Sequence, residues 1–327
     1  MVYSIYPMEE LLKKLKSFID RNRLIPESSN IGVGVSGGPD SIFLLFMLNK
    51  IKEELNLNLT VLHFNHKIRE EADEEELFVK DMAEKMGLNF VSKTHNVIEF
   101  KKEHKLSLEE AARIKRREFF LKAKKTLSLD FIATGHTMND AIETMLMHLI
   151  KGSSLDGLVS LKPKSSFFIR PILCFKKDEI QSFLDENNIE YKIDRSNFEE
   201  KYTRNKIRHK LIPLLEEFNP NITETLFREL NILNEDSRFL SDLSEIEFTK
   251  RVRIIENRAI LNLDDLDYPS IRRRIISKAV KQLTGMSYSI SFENLERINN
   301  IDENTEVHLR KIIKAYKRNG KLIIEKW

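Results

Sequence analysis

The segment Ile31-Gly32-Val33-Gly34-Val35-Ser36-Gly37-Gly38-Pro39-Asp40-Ser41 limits what this chain can fold into more than any other stretch. Four of the ten glycines in the sequence fall between Gly32 and Gly38. A β-prone apolar run ends in Gly-Gly, and a helical pattern then starts at Ser41 with Ile42, Leu44, Leu45 and Leu48. That order reads as strand, tight loop, helix. The loop amides and the helix N-terminus then converge on one point, and paired glycines let an anion come close to the backbone. A plain strand-to-helix turn would need only the glycines. Two serines and an aspartate in the same loop, Ser36, Ser41 and Asp40, favour an anion site.

Strand-like runs at 31–35, 59–64, 90–94 and 131–133 alternate with helical patterns at about 41–55, 70–86 and 107–127. The alternation implies βαβ units in an α/β fold, a doubly wound and mainly parallel sheet that binds its ligand at the C-terminal strand ends. Residues 1–25 suggest an amphipathic helix with Leu11, Leu12, Leu15 and Phe18 on one face. After Pro213 and Phe218-Asn219-Pro220 the pattern changes. A long helix is expected at 221–246, a short hairpin within 251–262, helices near 269–284 and 290–300, and a terminal hairpin around Asn319-Gly320. The expected division is a domain at 1–217 that carries the glycine loop and a smaller, mostly helical domain at 218–327.

With 327 residues the chain has room for two domains, and it has no early run apolar enough for a signal peptide or a membrane span. One cysteine, Cys174, excludes a disulfide framework and any Cys-x-x-Cys motif. A soluble, cytoplasmic protein is the expectation, and a homo-oligomer stays open. The net charge is only +3, but basic residues cluster at 101–125, 201–210 and 272–274, against an acidic 70–76. Such clusters fit contact with a polyanion and also fit ordinary solvated helices.

The glycine loop matches neither a Walker loop nor a Gly-x-Gly-x-x-Gly loop. It resembles the SGGxDS loop of the ATP pyrophosphatases, which cleave ATP between its α- and β-phosphates. That resemblance makes Ser36, Gly37, Gly38, Pro39, Asp40 and Ser41 the expected ATP-binding residues. Asp40 is placed to hold Mg²⁺ through one carboxylate, with phosphate and water completing the shell.

Other constellations narrow the substrate. Gly135-His136-Thr137-Met138-Asn139-Asp140-Ala141-Ile142-Glu143-Thr144 follows a strand and opens a helix, with Asp140 and Glu143 on one face. Taken alone, that acidic pair would simply complement the helix dipole. The motifs Glu110-Ala111-Ala112-Arg113, Asp194-Arg195-Ser196-Asn197 and Tyr202-Thr203-Arg204-Asn205-Lys206-Ile207-Arg208-His209 are individually weak. In order and together with His63-Phe64-Asn65-His66, Arg69, the 151–158 segment and Arg170-Pro171-Ile172-Leu173, they closely resemble the tRNA(Ile)-lysidine synthetase family. The resemblance is dense over about 28–220 and loose beyond.

What the resemblance implies is a ligase. ATP adenylates the C2 oxygen of the wobble cytidine in a CAU-anticodon isoleucine tRNA, and the ε-amine of free L-lysine displaces AMP. Asp140 and Glu143 would bind lysine ammonium groups, one of them a candidate base, and His136 would bond a phosphate or the base. Arg113, with Arg204 or Arg208, would grip phosphate or carboxylate. Asn139 departs from the family, many members of which carry an aspartate there. The length suggests the shorter form, with one domain after the catalytic one. A sulfur-inserting tRNA enzyme, a small-molecule ligase and a non-catalytic nucleotide-binding protein are the competing readings. The lone cysteine argues against the first, and the basic trailing segments argue against the second.

Overall fold

A computed structural model describes residues 7–67, 72–192, 203–285, 290–309 and 312–327. Arg69, Tyr202 and Asp194-Arg195-Ser196-Asn197 lie outside the described residues. The chain divides into two compact units, Met1–Leu230 and Asn231–Trp327.

The first unit is built on a sheet of six strands in the order β3-β2-β1-β4-β6-β5. The strands β1 (Asn30–Gly34), β2 (Asn58–Asn65), β3 (Asn89–Thr94) and β4 (Phe131–Thr134) fall where the apolar runs predict. All are parallel, β1 pairing with β2 on one side and with β4 on the other. The sheet is completed by β5 (Lys164–Ser165) and β6 (Phe168–Ile169), an antiparallel pair that joins it through β6, parallel to β4. These two are only two residues long, too short to leave a periodic signal.

Helix α1 (Met8–Arg21) buries Leu11, Leu15, Phe18 and Ile19 and leaves its charged face outside. Helix α2 (Pro39–Ile51) has no polar face: Ile42, Phe43, Leu44, Leu45, Met47 and Leu48 are all buried. It packs against β1, α1 and α8 (Lys177–Glu186), and Phe43 meets Phe175 and Phe183 edge-on at 5.1 and 5.5 Å. A helix covered on all sides cannot be amphipathic. Helices α3 (Ala72–Lys85), α4 (Val97–His104), α5 (Leu108–Thr126), α6 (Met138–Ile150) and α7 (Leu155–Leu158) complete the crossovers. Beyond α8 come α9 (Thr203–Lys206), a π-helical turn at Ile207–Leu211 and α10 (Ile212–Phe218).

Phe218-Asn219-Pro220 does end a helix, yet the first unit continues into α11 (Ile222–Arg251) as far as Leu230. The boundary therefore lies beyond the 217–218 break that the prolines suggest. Glu224 explains this, since its carboxylate pairs with Lys176 at 2.7 Å and ties the start of α11 to the first unit.

In the second unit, β7 (Val252–Ile255) and β8 (Arg258–Leu261) form the expected hairpin. Helices α12 (Pro269–Thr284) and α13 (Phe292–Asn299) follow. The terminal hairpin of β10 (Ile313–Arg318) and β11 (Lys321–Lys326) turns at Asn319 and Gly320, both with positive φ, and β9 (Glu306–Leu309) lies beside β10. Helical residues outnumber strand residues, as expected, but the two hairpins and β9 join into one five-stranded antiparallel sheet. Ile271, Ile275, Ile276 and Ala279 of α12 pack with Ala259, Leu261, Ala315 and Ile324 of that sheet in one core. The basic triplet at 272–274 is partly structural: Arg272 bonds Asn299 at 2.9 Å, and Arg273 pairs with Glu296 at 3.1 Å.

Candidate active site

Two strand ends make the site. Because β1 and β4 are neighbours, paired Gly34 to Thr134, the chains leaving them run side by side. From β1 the loop takes a positive φ of 94° at Gly37, a conformation that favours glycine, and caps α2 with Gly38 and Pro39. Ser41 ties the loop down: its hydroxyl accepts from the Ser36 amide at 3.1 Å and donates to the Gly38 carbonyl at 2.9 Å. Ser36 and Ser41 hydroxyls lie 3.2 Å apart.

From β4 the chain must pass very close to this loop. A Cβ on Gly135 would meet the Asp40 carbonyl and Ser41 Cα at 3.1 Å, so only glycine sits there without a shift. Next comes Thr137, the N-cap of α6, in a capping box with Asp140. Asp140 Oδ2 accepts from the Thr137 amide and hydroxyl at 2.9 and 3.0 Å. The helix-start role expected of this residue is therefore real, but it occupies only one oxygen. The other, Oδ1, faces cations: Lys177 Nζ at 3.2 Å and Arg208 Nη2 at 3.9 Å.

Lys177 also stands 3.8 Å from Asp40 Oδ2, linking the two strand ends. It is held there by its own backbone, whose amide donates to Asn139 Oδ1 at 3.0 Å while the Met138 amide donates to the Phe175 carbonyl at 2.8 Å. Glu143 is fully buried and receives Arg208 through both oxygens, at 2.6 and 3.0 Å. Arg204 Nε stands 3.6 Å from the same carboxylate, and its Nη2 donates to Thr144 at 3.1 Å. Both candidate arginines are thus in the site, with Arg208 the more firmly engaged.

The electrostatics follow from burial. Asp40 is pushed up to about 6 by desolvation, with Asp140 and Glu143 adding and Lys177 and Arg208 opposing. Burial also raises Asp140, but Lys177, His136 and the Thr137 amide outweigh it and hold that carboxyl below its ordinary value. His136 is lowered to about 4 by burial, helped by Arg170, Arg116 and Arg204 and opposed by Asp140. It is a neutral imidazole at neutral pH, with Nδ1 against Thr134 Oγ1 at 2.9 Å.

Arg113 departs from expectation. It is exposed on α5 and has no hydrogen bond or ion pair with any described residue. The α5 charge that acts on His136 is that of Arg116, three residues on and nearly one helical turn away. Sequence reasoning passed over Lys177, and it used Arg170 only as part of the Arg170-Pro171-Ile172-Leu173 motif, without a role. No three His, Cys, Asp or Glu side chains among the described residues form a metal-binding group. No helix among them is long and apolar enough to cross a membrane.

A doubly wound sheet with a glycine loop at the C-terminal end of β1 defines a PP-loop protein, and the PP-loop domain family, ATP_bind_3, matches residues 7–215. ATP binding is the property of that class. Within it, the chain belongs to the tRNA(Ile)-lysidine synthase family. It is 33% identical over 324 residues to the tRNA(Ile)-lysidine synthase of Clostridioides difficile (strain 630), covering 96% of this chain and 70% of that one. It is 35% identical over 291 residues to the namesake from Clostridium perfringens (strain 13 / Type A), covering 88% and 62%. With Thermosipho africanus (strain TCF52B) the figures are 38% over 240 residues, 73% and 56%. The chain thus spans between about half and 70% of the length of these relatives. Among solved structures, the U34-tRNA thiolase NcsA from Methanococcus maripaludis superposes with a TM-score of 0.58 at 19% identity, covering 70% of this chain and 80% of that one. That likeness is one of fold.

Proposed function

We propose that this chain is an ATP-dependent carbon–nitrogen ligase that joins the ε-amine of L-lysine to C2 of the wobble cytidine in CAU-anticodon tRNA(Ile). Pyrophosphate and AMP leave, and the tRNA then reads AUA in place of AUG. The observation that carries this reading is the juxtaposition of an anion loop, Ser36–Ser41, with two carboxylates, Asp140 and Glu143, on the adjoining strand end. Activation needs the first and an amine nucleophile needs the second.

The amides of Gly37 and Gly38 and the hydroxyls of Ser36 and Ser41 would hold the polyphosphate. Asp40 would hold Mg²⁺, which neutralises phosphate charge and eases pyrophosphate departure. One buried carboxylate beside bound phosphate suits a magnesium ion, which keeps several waters. His136, neutral, can donate to or accept from a phosphate or the cytosine edge. The ε-amine is protonated at neutral pH and must lose a proton before its nitrogen can attack C2, so Asp140 would orient the ammonium and lies beside the proton that has to leave. Arg204 and Arg208 face the same point and would stabilise negative charge on the adenylate or the lysine carboxylate.

The tRNA needs a basic surface. Exposed Lys101, Lys102, Lys105, Arg113, Lys122 and Lys125 on and around α4 and α5 supply one. Arg113 belongs with this surface rather than with the buried cluster. A wobble base splayed out of the anticodon loop can be read on its edges.

The test is incorporation of labelled lysine into a CAU-anticodon tRNA(Ile) transcript with ATP and Mg²⁺, followed by nucleoside mass analysis. A lysine adduct on the wobble cytidine, lost in Asp40→Ala, is the expected result. AMP and pyrophosphate formed without lysine entry would keep the ATP loop and overturn the nucleophile.

A further inference from the structure

Every carboxylate assigned above to a ligand cation already faces a cation of the chain itself. Lys177 Nζ lies between Asp140 and Asp40, and Arg208 closes both oxygens of Glu143. The side chains of Glu143 and Asp140 keep only 1% and 15% of their exposure, against 32% for Lys177. A substrate ammonium at Asp140 Oδ1 would therefore stand against Lys177 Nζ, like charge beside like charge, while Lys177 is in place.

The two cations are not held alike. Arg208 is forked onto Glu143 by two charge-assisted bonds. Lys177 makes one bond at 3.2 Å and one looser approach at 3.8 Å, from a flexible stem whose backbone is fixed by Asn139. Its ammonium can swing while its anchor stays. Where it would go is set by the neighbouring residue, because Asp40 lies within the polyphosphate loop.

We propose that Lys177 is a positioning residue that changes partners on ATP binding. In the empty site it fills the cation position between Asp40 and Asp140. When ATP seats its polyphosphate on the loop, the ammonium moves to phosphate oxygen and leaves Asp140 Oδ1 open to the incoming lysine. The inference rests on the lysine reading given above. It makes lysine binding conditional on nucleotide, and by linkage it makes nucleotide binding tighter in the presence of lysine by the same factor.

The experiment is calorimetric titration of L-lysine into the full chain, alone and with saturating α,β-methylene-ATP and Mg²⁺, which cannot be cleaved at the reacting bond. The wild-type chain should bind lysine at least about tenfold more tightly with the nucleotide. In Lys177→Met the coupling should fall below about threefold, lysine affinity without nucleotide should rise, and nucleotide affinity should fall. Lys177→Arg, which keeps the charge, should retain the coupling. Equal lysine affinity with and without nucleotide in the wild type overturns the inference, as does undiminished coupling in Lys177→Met. If lysine binds to neither protein under any condition while the nucleotide still binds, the lysine reading itself has failed and takes this inference with it.

Discussion

Arg208 holds Glu143 by both carboxylate oxygens, Nε to Oε1 at 2.6 Å and Nη2 to Oε2 at 3.0 Å. The carboxylate side chain is 1% exposed and sits in the first half of α6, so this fork fastens the π-helical turn carrying Arg208 to the helix that carries Asp140. Truncating one member of such a pair leaves a buried charge. Arg208→Ala should therefore lower stability by about 2–3 kcal/mol, less than for a fully buried pair because Arg204 remains nearby. The double variant Glu143→Gln with Arg208→Ala should recover part of that loss. Urea unfolding of wild type, each single variant and the double variant measures it, and strict additivity would show that the fork contributes nothing.

Gly135 offers a steric test of the contact between the two strand ends. A methyl at this position meets the backbone of Asp40 and Ser41 at 3.1 Å, and backbone cannot rotate aside. Gly135→Ala should cost about 1–3 kcal/mol and displace the ATP loop, weakening nucleotide binding. Gly135→Ala with unchanged nucleotide affinity would mean that the loop absorbs the shift.

Asp40 carries a cost that its chemistry requires. Its carboxyl is raised from 3.8 to about 6, so the unfolded chain loses that proton first as pH rises. The contribution of Asp40 to stability is nil below about pH 3.8, turns unfavourable between there and about 6, and stays so above, by up to about 3 kcal/mol. Asp40→Asn should consequently melt higher than wild type at pH 7.5, with little difference at pH 4, while losing adenylation. Equal melting temperatures at pH 7.5 would contradict the burial argument.

Burial lowers three histidines, His63, His66 and His136, and acidification should act most strongly through the last two. His136 and His66 are both lowered to about 4, first by burial and in each case also by Arg116. Between the ordinary value of 6.5 and about 4 the unfolded chain binds protons that the folded one declines. The contribution of these two groups to stability therefore falls as pH drops through that window and is level above it, a pH dependence opposite in sign to that of Asp40. His136→Gln and His66→Gln should each flatten the fall between pH 6.5 and 5, read from thermal melts. Unchanged slopes in both would place the acid sensitivity elsewhere.

The parts of the fold carried by local pattern were legible from the residues alone: the four parallel strands, the glycine loop, the long helices and both hairpins. Asp140 and Glu143 share one face because their three-residue spacing survives folding unchanged, but on spacing alone the pair reads as a complement to the helix dipole, and only the family resemblance suggests a further role. Lys177 was not legible, since Lys176-Lys177-Asp178-Glu179 reads as an ordinary charged helix start. Its meaning comes from Asn139, far away in the chain, drawing the start of α8 against the start of α6. Arg113 and Arg116 differ by less than one helical turn, and only the packing of α5 decides which of them acts on the buried histidine. The strands β5 and β6 left no trace because two residues cannot display a period of two.

The parallel pairing of β1 with β4 has a consequence for how such an enzyme can change. On the proposed roles, the loop that would activate the acceptor follows one strand and the carboxylates that would hold the amine follow the other, with separation set by backbone hydrogen bonds that are indifferent to side-chain identity. The two half-reactions are thereby on separately editable modules. If those roles hold, substitutions in the first turns of α6 would retune which amine is accepted, while the loop that energises the acceptor would stay in place one strand away.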